Sequence, residues 1–179
     1  MVSVLTADIG GTNARFQHSL VQADGSFQVM HTETVSTSVY FTLQSCIEDF
    51  MLGKPACVLC VLGIAGIVDG HEAWSGSIWP AVSYKDIKLL GFRRVLFLND
   101  LEACGYGVAE LREEEIMQLN PGTAPQAGAP KVVISVGTGL GTCYLTSRSG
   151  QYQAWPSEGG FVSFSPKSPL QQAYLSYLQ

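Results

Sequence analysis

The chain has 179 residues, a formal net charge of −5 and a pI near 5.1, with 46% hydrophobic and 14% charged residues. This composition can bury a core and excludes a wholly disordered chain. The acidic balance argues against nucleic acid and anionic membranes as partners, and no apolar run reaches the roughly 20 residues that a membrane-spanning helix needs. No basic start precedes the first apolar stretch, so no signal peptide is predicted.

Runs rich in β-branched residues alternate with segments of helical spacing along the first two thirds of the chain. The β-branched runs predict strands at residues 2–7, 16–21, 27–35, 58–64 and 95–98. The helical spacing predicts four helices, at residues 39–51, 83–90, 101–109 and 112–119. We expect Ser36, Thr37 or Ser38 to cap the first helix, and Ser83 with Asp86 to form a capping box on the second. This alternation predicts an α/β layer with at least one parallel crossover.

A segment rich in proline, glycine and alanine, residues 120–130, separates this region from the rest. Beyond it we predict a strand, a glycine turn, a further strand, a hairpin turn at 147–151, two short strands around 156–160 and a helix from Pro169. We place the domain boundary slightly before the segment, near Glu110. Residues 1–110 then form a small N-terminal α/β domain, and residues 111–179 begin a larger one.

The first strand runs into a glycine turn that carries polar side chains, Asp8-Ile9-Gly10-Gly11-Thr12-Asn13-Ala14-Arg15. Glycines let backbone N–H groups crowd around an anion, which makes a phosphate-binding concavity. A carboxylate beside a phosphate can hold Mg²⁺ through water, which suits Asp8. The same residues also fit a plain β-hairpin turn.

A second stretch repeats this order of strand and glycine turn, with Gly137-Thr138-Gly139-Leu140-Gly141 after the strand at 132–136. Its spacing matches neither the dinucleotide-binding fingerprint nor the P-loop. Between the two turns, the strand at 95–98 ends in Asn99-Asp100. A carboxylate at the end of a strand can project into a crevice and take a proton from a hydroxyl group. Alternatively, Asn99 and Asp100 cap the following helix.

Two phosphate-type turns with an acidic strand end between them resemble the actin–hexokinase superfamily. The stretches DIGGTNAR, LND, GTGLG and Pro156-Ser157-Glu158-Gly159-Gly160, in this order, resemble bacterial-type glucokinase over essentially the whole chain. The resemblance implies an actin-like ATPase (ribonuclease H-like) α/β fold, a mixed sheet flanked by helices, whose second domain is only partly present. Family members continue well beyond this length, so we expect a truncated chain.

The resemblance also implies roles for residues. Asp100 is the general base in the ATP-dependent phosphorylation of glucose, or a related hexose, at its 6-hydroxyl group. Asn99, Glu158 and Gly159 join Asp100 in binding the sugar. The phosphates of ATP lie against the two turns, and Asp8 holds Mg²⁺ through water. The nucleotide-binding residues are Asp8, Gly10, Gly11, Thr12, Asn13, Gly137, Thr138 and Gly139.

The sequence departs from the family pattern at two positions near the sugar. Phe161 stands where the family usually has histidine, and Gly76 where it usually has asparagine. A site that loses a polar partner of a substrate hydroxyl loses selectivity. The identity of the sugar is therefore less constrained by the sequence than the nucleotide chemistry.

The five cysteines have no disulfide-rich spacing, and Cys57-x-x-Cys60 lacks the second pair of a zinc site. Reduced thiols indicate the cytoplasm.

The resemblance leaves open whether the protein is a homodimer. Trp74, Trp79 and Trp155 can either stack on a sugar ring or pack in the core.

Alternative functions follow from the same residues. One is a catalytically silent sugar-binding or regulatory relative, or an inactive fragment. Another is a nucleotide-dependent scaffold of the actin type, which the Asn99-Asp100 and 156–160 stretches disfavour. A ROK-type kinase or repressor would need a zinc-binding cysteine cluster or a DNA-binding helix pair, and neither is visible.

Overall fold

A computed structural model describes residues 1–74, 79, 81–120, 122, 126–137 and 139–178 of the chain. Its strands are β1 Val2–Ile9, β2 Asn13–Val21, β3 Phe27–Ser36, β4 Leu59–Ile64, β5 Ile67–Val68, β6 Glu72–Trp74, β7 Val82–Ser83, β8 Arg94–Asn99, β9 Lys131–Val136, β10 Leu140–Arg148 and β11 Gln151–Ser157. Its α-helices are α1 Leu43–Met51, α2 Tyr84–Lys88, α3 Asp100–Ala109 and α4 Pro169–Leu178. Short 3₁₀ turns cover Thr37–Val39, Glu113–Glu115 and Gly159–Phe161.

The main sheet has five strands in the order β3-β2-β1-β4-β8. β1, β2 and β3 form an antiparallel meander, whereas β4 pairs in parallel with both β1 and β8. A second sheet, β11-β10-β9, is antiparallel throughout, and β5, β6 and β7 form a small third one. The predicted mixed α/β architecture with a parallel crossover is therefore confirmed.

The larger core lies between the main sheet and α1. Leu43, Ile47 and Phe50 project from one face of α1 and are almost completely buried. Phe50 stacks on Phe16 of β2 with 5.1 Å between ring centroids. Large apolar side chains three or four positions apart lie on one face of a helix, and this face is the one that packs against the sheet.

Helix α3 connects the two main sheets. On one side, a Cβ atom placed at Gly63 of β4 would lie 3.2 Å from the Cβ of Ala103. On the other side, the Leu101 side chain packs against the second core, which consists of Cys143, Leu145 and Ala154. The predicted boundary near Glu110 follows this helix in the chain and stays a prediction.

Gly105 is the point of closest approach between α3 and the second sheet. A Cβ atom there would lie 2.6 Å from Cys143 Sγ and 3.1 Å from Leu145 Cδ2, both in fully buried side chains. We expect Gly105→Ala to lower the free energy of unfolding by about 1–2 kcal/mol, because overpacking outweighs the gain in helix propensity. Urea denaturation, monitored by circular dichroism, measures this change in the free energy of unfolding.

Gly107 supplies the matched control on the same helix. A Cβ atom at Gly107 has no neighbour within 4 Å. Gly107→Ala should therefore raise the free energy of unfolding, by up to about 1 kcal/mol. Equal effects of the two substitutions would show that the close approach at Gly105 does not matter.

Two predicted helices differ from the structure. The first starts at Leu43, because the hydroxyl of Thr42, and not one of residues 36–38, accepts the Ser45 N–H at 3.1 Å. The helix predicted at 112–119 is wrong, since only the 3₁₀ turn Glu113–Glu115 forms there. Ile116, Met117 and Leu119 are exposed. With no apolar face to bury, a short segment gains too little to stay helical.

Three smaller predictions need adjustment. Ser83 does cap α2, but its hydroxyl accepts from the Lys85 N–H and not from that of Asp86. A single strand, β11, stands where two short strands were predicted around 156–160. For residues 74–79 the sequence predicts a loop or a short strand, and residues 75–78 lie outside the described residues. None of the helices described is long and apolar enough to cross a membrane.

Candidate active site

The first glycine turn joins β1 to β2 as a tight hairpin. Asp8 lies within β1 and pairs across the ladder with Arg15, whose Nη1 donates to Asp8 Oδ2 at 3.0 Å. The Gly10 N–H donates to the carbonyl of Asn13 at 3.0 Å and closes the turn. Gly11, Thr12 and Asn13 are exposed, so a ligand can reach their backbone. The hairpin and phosphate interpretations of this stretch are thus compatible.

The second glycine turn has the same position relative to its own sheet. β9 ends at Val136, β10 begins at Leu140, and the Gly137 N–H donates to the carbonyl of Gly139 at 3.0 Å. Thr138, a predicted nucleotide-binding residue, lies outside the described residues. Both turns therefore sit at the end of the first strand of an antiparallel meander.

Asn99 ends β8 and caps α3. Its Oδ1 accepts the N–H groups of Leu101 and Glu102, at 3.0 and 3.2 Å. Its Nδ2 donates to the carbonyl of Gly66 at 2.9 Å. The helix-capping alternative therefore holds for Asn99, and the amide also ties α3 to the turn between β4 and β5.

Asp100 follows as the first residue of α3. Burial raises the pKa of its carboxyl group above the ordinary value of 3.8, and the negative charges of Asp8 and Glu158 raise it further. The N–H of Leu101, which donates to Asp100 Oδ1 at 2.9 Å, acts in the opposite direction. Burial and two like charges together make this carboxylate a better proton acceptor than an exposed aspartate.

The loop after β11 carries the predicted sugar-binding glutamate. Glu158 is exposed, and the Gly159 N–H donates to Ser157 Oγ at 3.1 Å. The hydroxyl of Thr142 on β10 donates to the Ser157 carbonyl at 3.2 Å and fixes the start of the loop. A Cβ atom at Gly160 would lie 1.6 Å from the Leu140 carbonyl oxygen, so the loop rests directly on the second glycine turn.

One cleft of about 910 Å³ brings the predicted residues together. Its lining includes Asn99, Asp100 and Glu158 from the sugar set, and Gly11, Gly137 and Gly139 from the nucleotide set. Asp8 lies in an adjoining cavity of about 760 Å³, which Asp100 also lines. Gly10, Thr12, Asn13 and Gly159 are absent from both linings, although Gly11 and Glu158 are present in the larger one.

The aromatic residues divide between core and cleft. Trp79 is buried, and its Nε1 donates to the Tyr40 carbonyl at 3.1 Å. Trp74 and Phe161 line the cleft, and Phe161 is 85% exposed. Gly76, the other departure from the family pattern, lies outside the described residues.

The described side chains fit a magnesium ion held mainly by water and phosphate. Among residues 1–74, 79, 81–120, 122, 126–137 and 139–178, no three side chains of His, Cys, Asp or Glu could together hold a metal ion. Asp8 accepts from Arg15 through Oδ2 only, which leaves Oδ1 available. Mg²⁺ keeps several waters and needs few carboxylates, so this single oxygen suffices for an outer contact.

Sequence reasoning missed several residues of the site. Gly66 and Ser135 line the cleft, and Thr37 lies behind the first turn. Ser135 gave a signal, as a polar residue within the apolar run 132–136. The Gly66 carbonyl accepts from Asn99 and the Thr37 hydroxyl donates to the Gly11 carbonyl, and a sequence carries no local mark of such distant contacts.

Substitution of Asn99 tests how much its side chain contributes to stability. Asn99→Ala should lower the free energy of unfolding by about 1–2 kcal/mol, because α3 loses its cap and the Gly66 carbonyl its donor. Asn99→Asp keeps the capping oxygen and should lose less. Thr42→Ala, which uncaps α1 away from the cleft, is the control for a pure capping loss. Equal losses for Asn99→Ala and Asn99→Asp in urea denaturation would contradict this assignment.

Comparison with known proteins identifies the family of the chain. A family model described as glucokinase matches residues 5–179. The chain belongs to the glucokinase family. Glucokinase of Nostoc punctiforme is 31% identical over 184 residues, a match that covers 99% of this chain and 53% of that protein. Glucokinase of Brucella suis is 33% identical over 168 residues, covering 92% and 48%. The chain thus spans about half the length of these glucokinases.

Solved structures support the same fold. Glucokinase from an Antarctic psychrotroph has a TM-score of 0.81 at 24% identity and is matched over 99% of this chain and 56% of its own. Glucokinase from Balamuthia mandrillaris, in complex with glucose, scores 0.70 at 24% identity, over 99% and 53%. A ROK family glucokinase from Streptomyces griseus, in complex with glucose and AMPPNP, scores 0.53 at 20% identity, over 86% and 48%. The predicted actin-like ATPase fold is confirmed.

Proposed function

We propose that the protein phosphorylates glucose, or a related hexose, at its 6-hydroxyl group with ATP. The observation that carries this proposal is the single cleft in which Asp100 and Glu158 lie with glycines of both phosphate-type turns. Membership of the glucokinase family supports it. So do the glucose and AMPPNP bound by the Streptomyces griseus structure, which shares the fold.

Asp100 is the general base in this mechanism. Its carboxylate accepts the proton of the 6-hydroxyl group while that oxygen attacks the γ-phosphorus of ATP, and ADP leaves with the electrons of the broken O–P bond. The raised pKa strengthens the carboxylate as a proton acceptor. Its place at the first turn of α3, capped by Asn99, fixes where the carboxylate stands.

The remaining residues bind and align the substrates. Glu158 and the free N–H of the Asn99 amide offer an acceptor and a donor for sugar hydroxyl groups. The turns at Gly10–Asn13 and Gly137–Gly139 offer backbone N–H groups for the phosphates. Asp8 would hold Mg²⁺ through water, and the ion would neutralise phosphate charge when bound.

The test is glucose-dependent release of ADP by this chain, measured in a coupled assay with Mg²⁺. Turnover that requires glucose, and a comparison among hexoses, would support the proposal and define the sugar.

We also propose that the protein acts in the cytoplasm. All five cysteines are free thiols, and a reducing compartment keeps cysteines in this state.

A second candidate is a silent sugar-binding relative. It is favoured by the largely exposed Phe161 ring in the cleft. Calorimetry would then show hexose binding without ADP release. Absence of both hexose binding and ADP release would contradict both candidates.

A further inference from the structure

Thr37 lies behind the first glycine turn and contacts its backbone twice. The Thr37 N–H donates to the carbonyl of Thr12 at 3.0 Å, and Thr37 Oγ1 donates to the carbonyl of Gly11 at 3.0 Å. Thr37 is only 1% exposed, so both contacts are made inside the protein. One buried residue thus holds two consecutive carbonyl groups of the turn.

The direction of these carbonyls determines the direction of the amides that follow. The described residues include no cis peptide bond. In a trans peptide the C=O and the next N–H point to opposite sides of the chain. Because the Gly11 and Thr12 carbonyls point towards Thr37, the N–H groups of Thr12 and Asn13 point away from it.

Two amide groups of the turn are also unused in the described part of the chain. The N–H groups of Gly11 and Thr12 donate to no partner in the described part of the chain, and both residues are exposed. Gly11 lines the cleft, whereas Thr37 does not. Free amides on the exposed side of a turn, with its carbonyls held on the buried side, form an anion-binding arrangement.

We propose that Thr37 is a positioning residue for nucleotide phosphate, acting through the peptide groups of the first turn and not by contact with the ligand. This inference rests on the proposed function, since it takes the turn to bind phosphate. Loss of the Thr37 hydroxyl frees the Gly11 carbonyl, and the Thr12 amide loses its fixed direction. The sugar-binding residues Asn99 and Glu158 lie on other elements and are unaffected.

Calorimetry with Mg–ADP and, separately, with glucose tests the proposal. Thr37→Val keeps the volume and removes the hydroxyl group, and Thr37→Ser keeps the hydroxyl group. We expect Thr37→Val to raise the Kd for Mg–ADP about 3- to 10-fold, the range expected for one hydrogen bond. The Kd for glucose should stay within about twofold, and Thr37→Ser should restore ADP binding to a similar margin.

Ser38→Ala is the matched control, because it removes a neighbouring exposed hydroxyl whose hydrogen-bond partner among the described residues is Ser36 alone. Thr37→Ala replaces Thr37→Val if circular dichroism shows that the valine variant is unfolded. Equal shifts in both Kd values, or none in either, would overturn the positioning role. Absence of ADP binding by the unsubstituted chain would instead contradict the proposed function itself.

Discussion

Asp100→Asn is expected to lower glucose-dependent ADP release by about 10²–10⁴-fold, the usual contribution of a general base. The substitution preserves size and the oxygen that accepts the Leu101 N–H. Glucose binding, measured by calorimetry, should therefore survive. The loss should fall on kcat and not on the affinity for glucose, because the asparagine still hydrogen-bonds a hydroxyl group but takes no proton from it.

The raised pKa of Asp100 also predicts in which direction Asp100→Asn changes the stability of the protein. A folded-state pKa above the ordinary 3.8 means that the folded protein holds the Asp100 proton more tightly than the unfolded chain does. Ionised Asp100 thus lowers stability as the pH rises through the raised pKa. Asp100→Asn should be at least as stable as the unsubstituted chain at pH 7, and this advantage should vanish below about pH 4.

Glu102→Gln is the control for charge removal on the same helix. The pKa of Glu102 is also raised by burial, but Glu102 lines neither cavity. Its replacement should leave turnover unchanged. An Asp100→Asn variant with full turnover would remove Asp100 as the base, whatever its effect on stability.

Gly160→Ala is expected to cost about 10²-fold in turnover, through displacement of the loop that carries Glu158. The added Cβ would lie 1.6 Å from the carbonyl oxygen of Leu140 and 2.7 Å from its carbon. Both atoms belong to the backbone, so no side-chain rotation relieves the overlap. Either the Glu158 loop or the second glycine turn has to move.

Calorimetry and urea denaturation separate the two consequences of this movement. Glucose affinity should fall if the Glu158 loop moves, and ADP affinity should fall if the glycine turn moves. Gly107→Ala, whose Cβ meets no neighbour within 4 Å, is the control for a glycine replaced in open space. Normal affinity for both ligands would show that Gly160 does not fix the relative position of the two loops.

The spacing of hydrophobic residues predicted much of the fold, because in those segments the predicted apolar residues do pack against other parts of the protein. The strand at 58–64 and the helix at 101–109 pack against buried partners, and both were found close to the predicted bounds. The helix at 112–119 failed because its apolar residues meet no core. Helical spacing alone does not reveal whether a partner surface exists.

The candidate site was predictable where a residue type itself signals chemistry. The first glycine turn and Asp100 lie close together because β1 and β8, which both pair in parallel with β4, end at the same edge of the main sheet. Thr37 and Gly66 could not be found in this way. Thr37 donates to the carbonyl of Gly11, 26 positions away, and the carbonyl of Gly66 accepts from Asn99, 33 positions away, so only the folded chain brings these groups together.

The double packing of α3 restricts how the molecule can move. Any rigid-body opening of the two sheets would have to slide Ala103 across Gly63 or Gly105 across Cys143, two contacts that leave no room for a side chain. We therefore expect α3 and the residues packed on both of its sides to move as one body. Asp100 is the first residue of α3, so we expect its carboxylate to keep its place relative to both sheets while the exposed glycine turns and the Glu158 loop adjust around a ligand.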